Sequence, residues 1–253
     1  MSGPTEAGVL PASRRDRVRA ATAQEIKQTA RKLLVEHGSE AVTLRAIARE
    51  IGMTAPALYR YFGSHEELIH SVAGDIFNEL ADDLGRAIRA ESERGGAVVD
   101  KLVAACREFR RWGLTHQAEF GMIFGTPVAS IEVAHDDFTD ECGRRFGGTF
   151  LMLFLELWHR APFPVPADED IDPGLLRQLL HYRDVLGADL PGIAQMPAGG
   201  ILVFLRCWVR LYGAVSLEIF GHLRFALDDA APMFELTLSE LAELIGLEYP
   251  PRP

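Results

Sequence analysis

The stretch TLRAIAREIGMTAPALYRYF, residues 43–62, constrains the fold more than any other part of the chain. Leu44, Ile47, Ala48 and Ile51 fall at helical spacing and stop at Gly52. Thr43 stands where an N-cap is needed. Thr54 can cap a second, shorter helix with Pro56 in its first turn, where a missing N–H costs little. Upstream, Ile26, Ala30, Leu33 and Leu34 repeat at helical spacing and Gly38 follows His37 as a helix stop. Downstream, Ser64 and Glu67 form an S-x-x-E capping box for a fourth helix running to about residue 90. Residues 20–62 therefore predict three helices, the last two joined by a tight turn at Gly52, which is a helix-turn-helix.

In that motif the second helix enters the major groove, and its first residues meet base edges and phosphates. Here its outer face carries Thr54, Tyr59, Arg60 and Tyr61, while Leu58 and Phe62 suffice to hold it to the core. Tyrosine brings a rigid flat body and a hydroxyl that can bond a phosphate oxygen. The charge distribution agrees. Between Arg14 and Arg60 stand ten Lys/Arg against five Asp/Glu, a local excess of +5 in a chain of net charge −10. A basic front on an acidic body points to a local polyanion site.

The segment TLRAIAREIGMTAPALYRYFGSHEEL, residues 43–68, resembles the DNA-binding domain of the TetR family of transcriptional regulators. The likeness spans roughly residues 20–68 and rests on the helix lengths, the turn glycine, the L-Y-x-[YH]-F ending and the S-x-E-E-L start. It implies that Thr43 and Tyr59 bind phosphates, that Arg45 reaches a base, and that Thr54, Ala55, Pro56 and Ala57 face the groove, with Tyr61 adding backbone contact. The family commonly carries lysine where His65 stands. Histidine is only partly charged near neutral pH, so DNA affinity is expected to depend more on pH than is usual, although helix N-terminal N–H groups there still bind phosphate. Residues 1–19 are expected to form a flexible basic arm whose Arg14, Arg15, Arg17 and Arg19 add minor-groove or phosphate contacts.

The remainder, residues 69–253, reads as helices near 64–91, 97–114, 116–125, 138–160, 173–187, 197–223 and 229–247, with proline-rich breaks at 161–174 and 190–200. The fold class is thus all-α: a helix-turn-helix domain followed by a larger helical ligand-binding and dimerisation domain. The stretch WVRLYGAVSLEIFGHL, residues 208–223, resembles one class of TetR-family C-terminal domain marked by W-x-x-x-H-G, with Trp208 and Gly213 matching and Tyr212 replacing the histidine. This helix is apolar on more than one side, so it must be covered on all of them. A partner subunit is the simplest cover, and the family is dimeric. The last helix supplies the second wall, giving a four-helix interface in a homodimer whose recognition helices read a near-palindromic double-stranded operator.

Aromatic residues at helical positions in the body predict a mostly apolar effector pocket. Trp112, Phe120, Phe154, Trp158 and Trp208 are its leading candidates. Other function classes find little support. HExxH, GxSxG, Walker and dinucleotide glycine patterns are absent, so neither an enzyme nor a cofactor is expected. His135, Asp136 and Asp137 are adjacent and do not converge as metal ligands from one helix face. Three cysteines, far apart and without CxxC, suit a reducing cytoplasm. The N-terminal residues lack the order of a signal peptide, and Arg206, Arg210 and Glu218 interrupt the most apolar run, so no membrane partner is expected. The expected function is a repressor released by a largely apolar small molecule. The alternatives are control by a protein partner or ligand-dependent activation.

Overall fold

The computed structural model describes residues 13–125, 137–187, 190 and 192–249. Among them are ten α-helices and no strand: α1 (Arg14–His37), α2 (Leu44–Glu50), α3 (Ala55–Leu58), α4 (His65–Glu93), α5 (Val98–Thr115), α6 (Gln117–Phe124), α7 (Asp137–Arg160), α8 (Pro173–Gly187), α9 (Ala198–Ile219) and α10 (Ala231–Leu244).

The local signals act as the sequence suggests. Thr43 Oγ1 accepts from the Ala46 N–H at 3.2 Å and starts α2. Gly52, at φ +70°, lets the chain turn, and the Met53 N–H closes on Ala48 O at 2.8 Å. Pro56 sits in the first turn of α3. Ser64 Oγ accepts from the Glu67 N–H at 3.0 Å, while the Glu67 carboxylate accepts from the Gly63 N–H, one residue before the expected box partner. Ile26, Leu33, Ile47, Leu58, Phe62 and Leu68 close the small N-terminal core.

α4 joins the two parts. Leu68 and Val72 face the N-terminal core, and Ile76, Leu80 and Leu84 continue the same buried stripe into the body. There α4 packs most extensively on α5 and α7, with α9 and α10 beyond. The proline-rich break at 161–174 is anchored by buried Phe163, which meets Phe154 and Trp158 edge to face at 5.4 and 5.1 Å, and by buried Ile171. α9 and α10 stop slightly short of the expected ends, because Gly221 and Gly246 adopt φ +72° and +68° and terminate them.

One expectation is corrected. Arg14–Arg19 are the first turns of α1 and not a flexible arm. Ser13 Oγ caps the helix by accepting from the Asp16 N–H at 3.2 Å, and no glycine or proline follows to stop it. Residues 1–12 of the expected arm lie outside the described residues, as do His135 and Asp136.

Candidate DNA interface and effector cavity

The N-termini of α2 and α4 and the outer face of α3 surround one open concavity. Thr43, Arg45, Ala55, Pro56, Tyr59 and His65 line it, so six of the ten residues singled out for DNA contact come together. Thr43, Arg45, Thr54, Pro56, Tyr59 and Arg60 are exposed, and Tyr59 reaches 55%. Because the Thr43 oxygen serves as a cap acceptor, its hydroxyl proton remains available to a phosphate.

Three residues sit differently from the expectation. Tyr61 is half-buried and packs against the core. His65 turns its ring inward: Nε2 lies 2.7 Å from Val42 O, and since a carbonyl only accepts, this nitrogen is the donor. The histidine therefore ties the start of α4 to the residue before the α2 cap. Arg19 donates to Arg60 O at 3.1 Å, pinning the end of α3 to α1.

Ion pairs fasten this domain to the body. Lys27 meets Asp75 of α4 at 2.6 Å. Arg31 pairs with Glu79 of α4 and, at 3.2 Å, with buried Glu119 of α6. The hydrogen bond from Arg31 holds the Glu79 carboxyl below the usual carboxylate range and raises the guanidinium in turn. These partners lie 48 and 88 residues from Arg31, and no local pattern in the sequence announces them.

In the body, α5, α7, α9 and α10, with Ile245 and Leu247, line a partly open apolar cavity of about 80 Å³. Phe154 and Trp208 line it; Trp112, Phe120 and Trp158 do not. Trp112 and Phe120 are fully buried, Trp112 stacked on His116 at 4.8 Å and Phe120 tilted against Phe109 at 5.8 Å. Trp158 packs on Phe163. The aliphatic walls differ from expectation: Val99 and Leu102 on α5 are not among the sequence candidates, and Leu238 and Leu241 of the last helix, expected at the dimer interface, are buried within the subunit and line the cavity. The Tyr212 hydroxyl, where the C-terminal signature has histidine, donates to Phe124 O at 2.9 Å.

The comparisons with known proteins bear on both parts. A family model described as bacterial regulatory proteins of the tetR family matches residues 26–72. A second, described as tetracyclin repressor-like C-terminal domain, matches residues 102–241, more than half of the chain. The chain belongs to the TetR family of transcriptional regulators. The second match is to the general C-terminal domain and does not bear on the narrower W-x-x-x-H-G class.

The HTH-type transcriptional regulators Mb1846 of Mycobacterium bovis and Rv1816 of Mycobacterium tuberculosis are each 29% identical over 199 residues, 78% of this chain and 80% of theirs. Among solved structures, the regulatory protein SCO4313 is 27% identical, with a TM-score of 0.64 over 91% of this chain and 100% of that one. RolR in complex with resorcinol shares the fold, with a TM-score of 0.57 over 92% of both chains at 14% identity. TetR-family regulators bind DNA, and the chain is accordingly a DNA-binding regulator rather than an enzyme.

Proposed function

We propose that this TetR-family regulator acts as a cytoplasmic homodimeric repressor that holds a near-palindromic operator and lets go when a mostly apolar small molecule enters the body. The observation that carries the DNA half is the concavity in which Thr43, Arg45, Pro56 and Tyr59 converge. Thr43 and Tyr59 bond phosphates and set the register. Arg45 and the N-terminal turn of α3 address the groove. The α4 N-terminus offers backbone N–H groups to a phosphate.

The outer face of α9 and α10 supports the dimer. Val209, Leu217, Met233 and Leu236 lie exposed there, and a Cβ on Gly213 would meet nothing within 4 Å. α9 is long and apolar enough to cross a membrane by length and composition alone. Within it, however, Glu218 pairs with Arg110 of α5 at 2.6 Å, and the opposite face is core. A second copy is the cover this helix needs. Two such subunits place their α3 helices about one duplex turn apart, roughly 34 Å.

Release is a population shift: the effector binds better to the conformer whose α3 spacing does not fit DNA. α4 carries the change, being buried continuously from Leu68 to Leu84 and tied to α1 by the Lys27 and Arg31 pairs.

Selection of bound duplexes from a random pool, at a fixed salt of about 100 mM because phosphate contacts weaken steeply with salt, tests the reading. An inverted repeat is expected. A folded, dimeric sample that enriches nothing refutes an operator-bound apo state.

A further inference from the structure

The chain leaves α10 by a sharp reversal. Gly246 has φ +68°, and the N–H groups of Gly246 and Leu247 close on Glu243 O and Ala242 O at 3.0 and 2.9 Å. The reversal brings Ile245 and Leu247 over the apolar cavity as part of its wall. Beyond them a latch holds the strap down. The Tyr249 hydroxyl donates to Glu235 Oε2 at 2.5 Å. Arg107 of α5 donates to that hydroxyl at 3.2 Å and to the two Glu235 oxygens at 3.1 and 2.8 Å. The guanidinium also lies 5.9 Å from the Tyr249 ring centroid. Burial, helped by the Glu235 carboxylate, pushes the Tyr249 phenol up to about 12, so it keeps its proton.

Every other lining residue belongs to a helix. Shifting a helix disturbs its packing on several neighbours, whereas lifting the strap breaks the latch and withdraws two aliphatic side chains. Some wall must move. A cavity of about 80 Å³ is smaller than the roughly 150 Å³ that accommodates benzene in a protein core.

The lining also restricts what enters. It holds no charged side chain; its side-chain heteroatoms are the sulfurs of Cys106 and Cys207 and the Trp208 indole nitrogen. Burial pushes the two thiols up to about 12 and about 11, so neither offers a counter-charge to a cation. A desolvated ion there has nothing to balance it.

We propose that residues 245–249 are the door of this cavity, latched by Tyr249, Glu235 and Arg107, and that the molecule admitted is uncharged. The proposal rests on the effector reading above and adds the way in and the charge class.

The cysteines report on it. Cys106 and Cys207 line the cavity, and buried Cys142 on α7 does not, so Cys142 is an internal reference. The full-length protein is treated with uncharged methyl methanethiosulfonate and the labelling rate of each thiol is read by mass spectrometry. Tyr249→Phe keeps the ring and removes the latch hydroxyl; Glu235→Gln is the second variant. Both are expected to speed labelling of Cys106 and Cys207 by about tenfold relative to Cys142, the loss of a charge-assisted hydrogen bond appearing as easier local opening. Uncharged phenylnaphthylamine is expected to protect the same two thiols in the unsubstituted protein, to associate faster with Tyr249→Phe, and to be a better protector than anionic anilinonaphthalene sulfonate.

Unchanged labelling, or an equal rise at all three cysteines, overturns the door while protection by phenylnaphthylamine leaves the effector cavity standing. Equal protection by the sulfonate overturns the charge class. Absence of protection by either probe overturns the effector reading and the door together.

Discussion

Replacing Tyr59 by alanine separates DNA contact from folding. The side chain is 55% exposed, whereas its neighbour Leu58 is 1% exposed and, with Phe62, holds α3 in place. Truncating Tyr59 removes the covered, smaller part of its ring but leaves Leu58 and Phe62 in place, so the stability change is expected to stay within about 1 kcal/mol. On DNA the loss is larger. A hydrogen bond from the phenol to a charged phosphate contributes about 1.5–3 kcal/mol. A dimer makes it twice, which corresponds to roughly two to four orders of magnitude in Kd. Fluorescence anisotropy on the selected operator at fixed salt, with a thermal melt run in parallel, measures both quantities. Tyr59→Phe keeps the ring and is expected to show most of the loss. A phenol is neutral and releases no counterion, so the slope of log K against log salt stays unchanged in Tyr59→Phe, whereas removing a phosphate-binding arginine flattens it by about 0.9 per contact. Full affinity in Tyr59→Phe refutes the hydroxyl contact. A melting temperature lowered by several degrees in Tyr59→Ala refutes the exposed placement.

Val209→Glu sets two carboxylates against each other at the proposed α9 interface; since like charges across an interface cost several kcal/mol, the dimer constant is expected to weaken roughly a hundredfold or more in sedimentation equilibrium. An unchanged constant places the interface elsewhere. Phe154→Ala opens the core where Phe154 meets Phe163 and Phe204 edge to face, each at 5.4 Å, and is expected to cost about 3–5 kcal/mol in denaturant unfolding. The Arg31–Glu79 pair predicts an acid-side effect. Its depressed carboxyl contributes stability that is complete above the usual glutamate value and disappears as pH falls through the depressed one, so Glu79→Gln should flatten the decline of melting temperature below about pH 4.5. An identical profile in the variant would show that the pair carries none of this linkage.

The parts of the fold that were legible are those whose signals are local. Thr43, Gly52, Pro56 and Ser64 each act within a few residues of themselves, and the structure places a cap, a left-handed turn, a helix start and a cap at those positions. Tyr61 shows where a local rule stops applying. On a regular α-helix it lies about 60° round from Leu58, at the edge of the inner face; after Leu58 the chain tightens, and the Tyr61 N–H bonds Leu58 O at 2.9 Å. With three residues per turn, positions i and i+3 eclipse, so Tyr61 turns to the same inner side as Leu58. The cavity was illegible for another reason. Periodicity tells which side chains leave water, but not which of several interlocking stripes leaves a gap. Trp112 and Phe120 fill theirs, while Phe154 and Trp208 border one. α9 joins the two kinds of information. Its sequence is apolar on more than one side, apart from Arg206, Arg210 and Glu218, and those apolar sides call for cover. The chain covers one face with α5, α8 and α10 and leaves Val209 67% and Leu217 43% exposed. The proposed dimer meets this requirement, because a helix pair that both lacks and offers the same apolar face can be completed by another copy of itself.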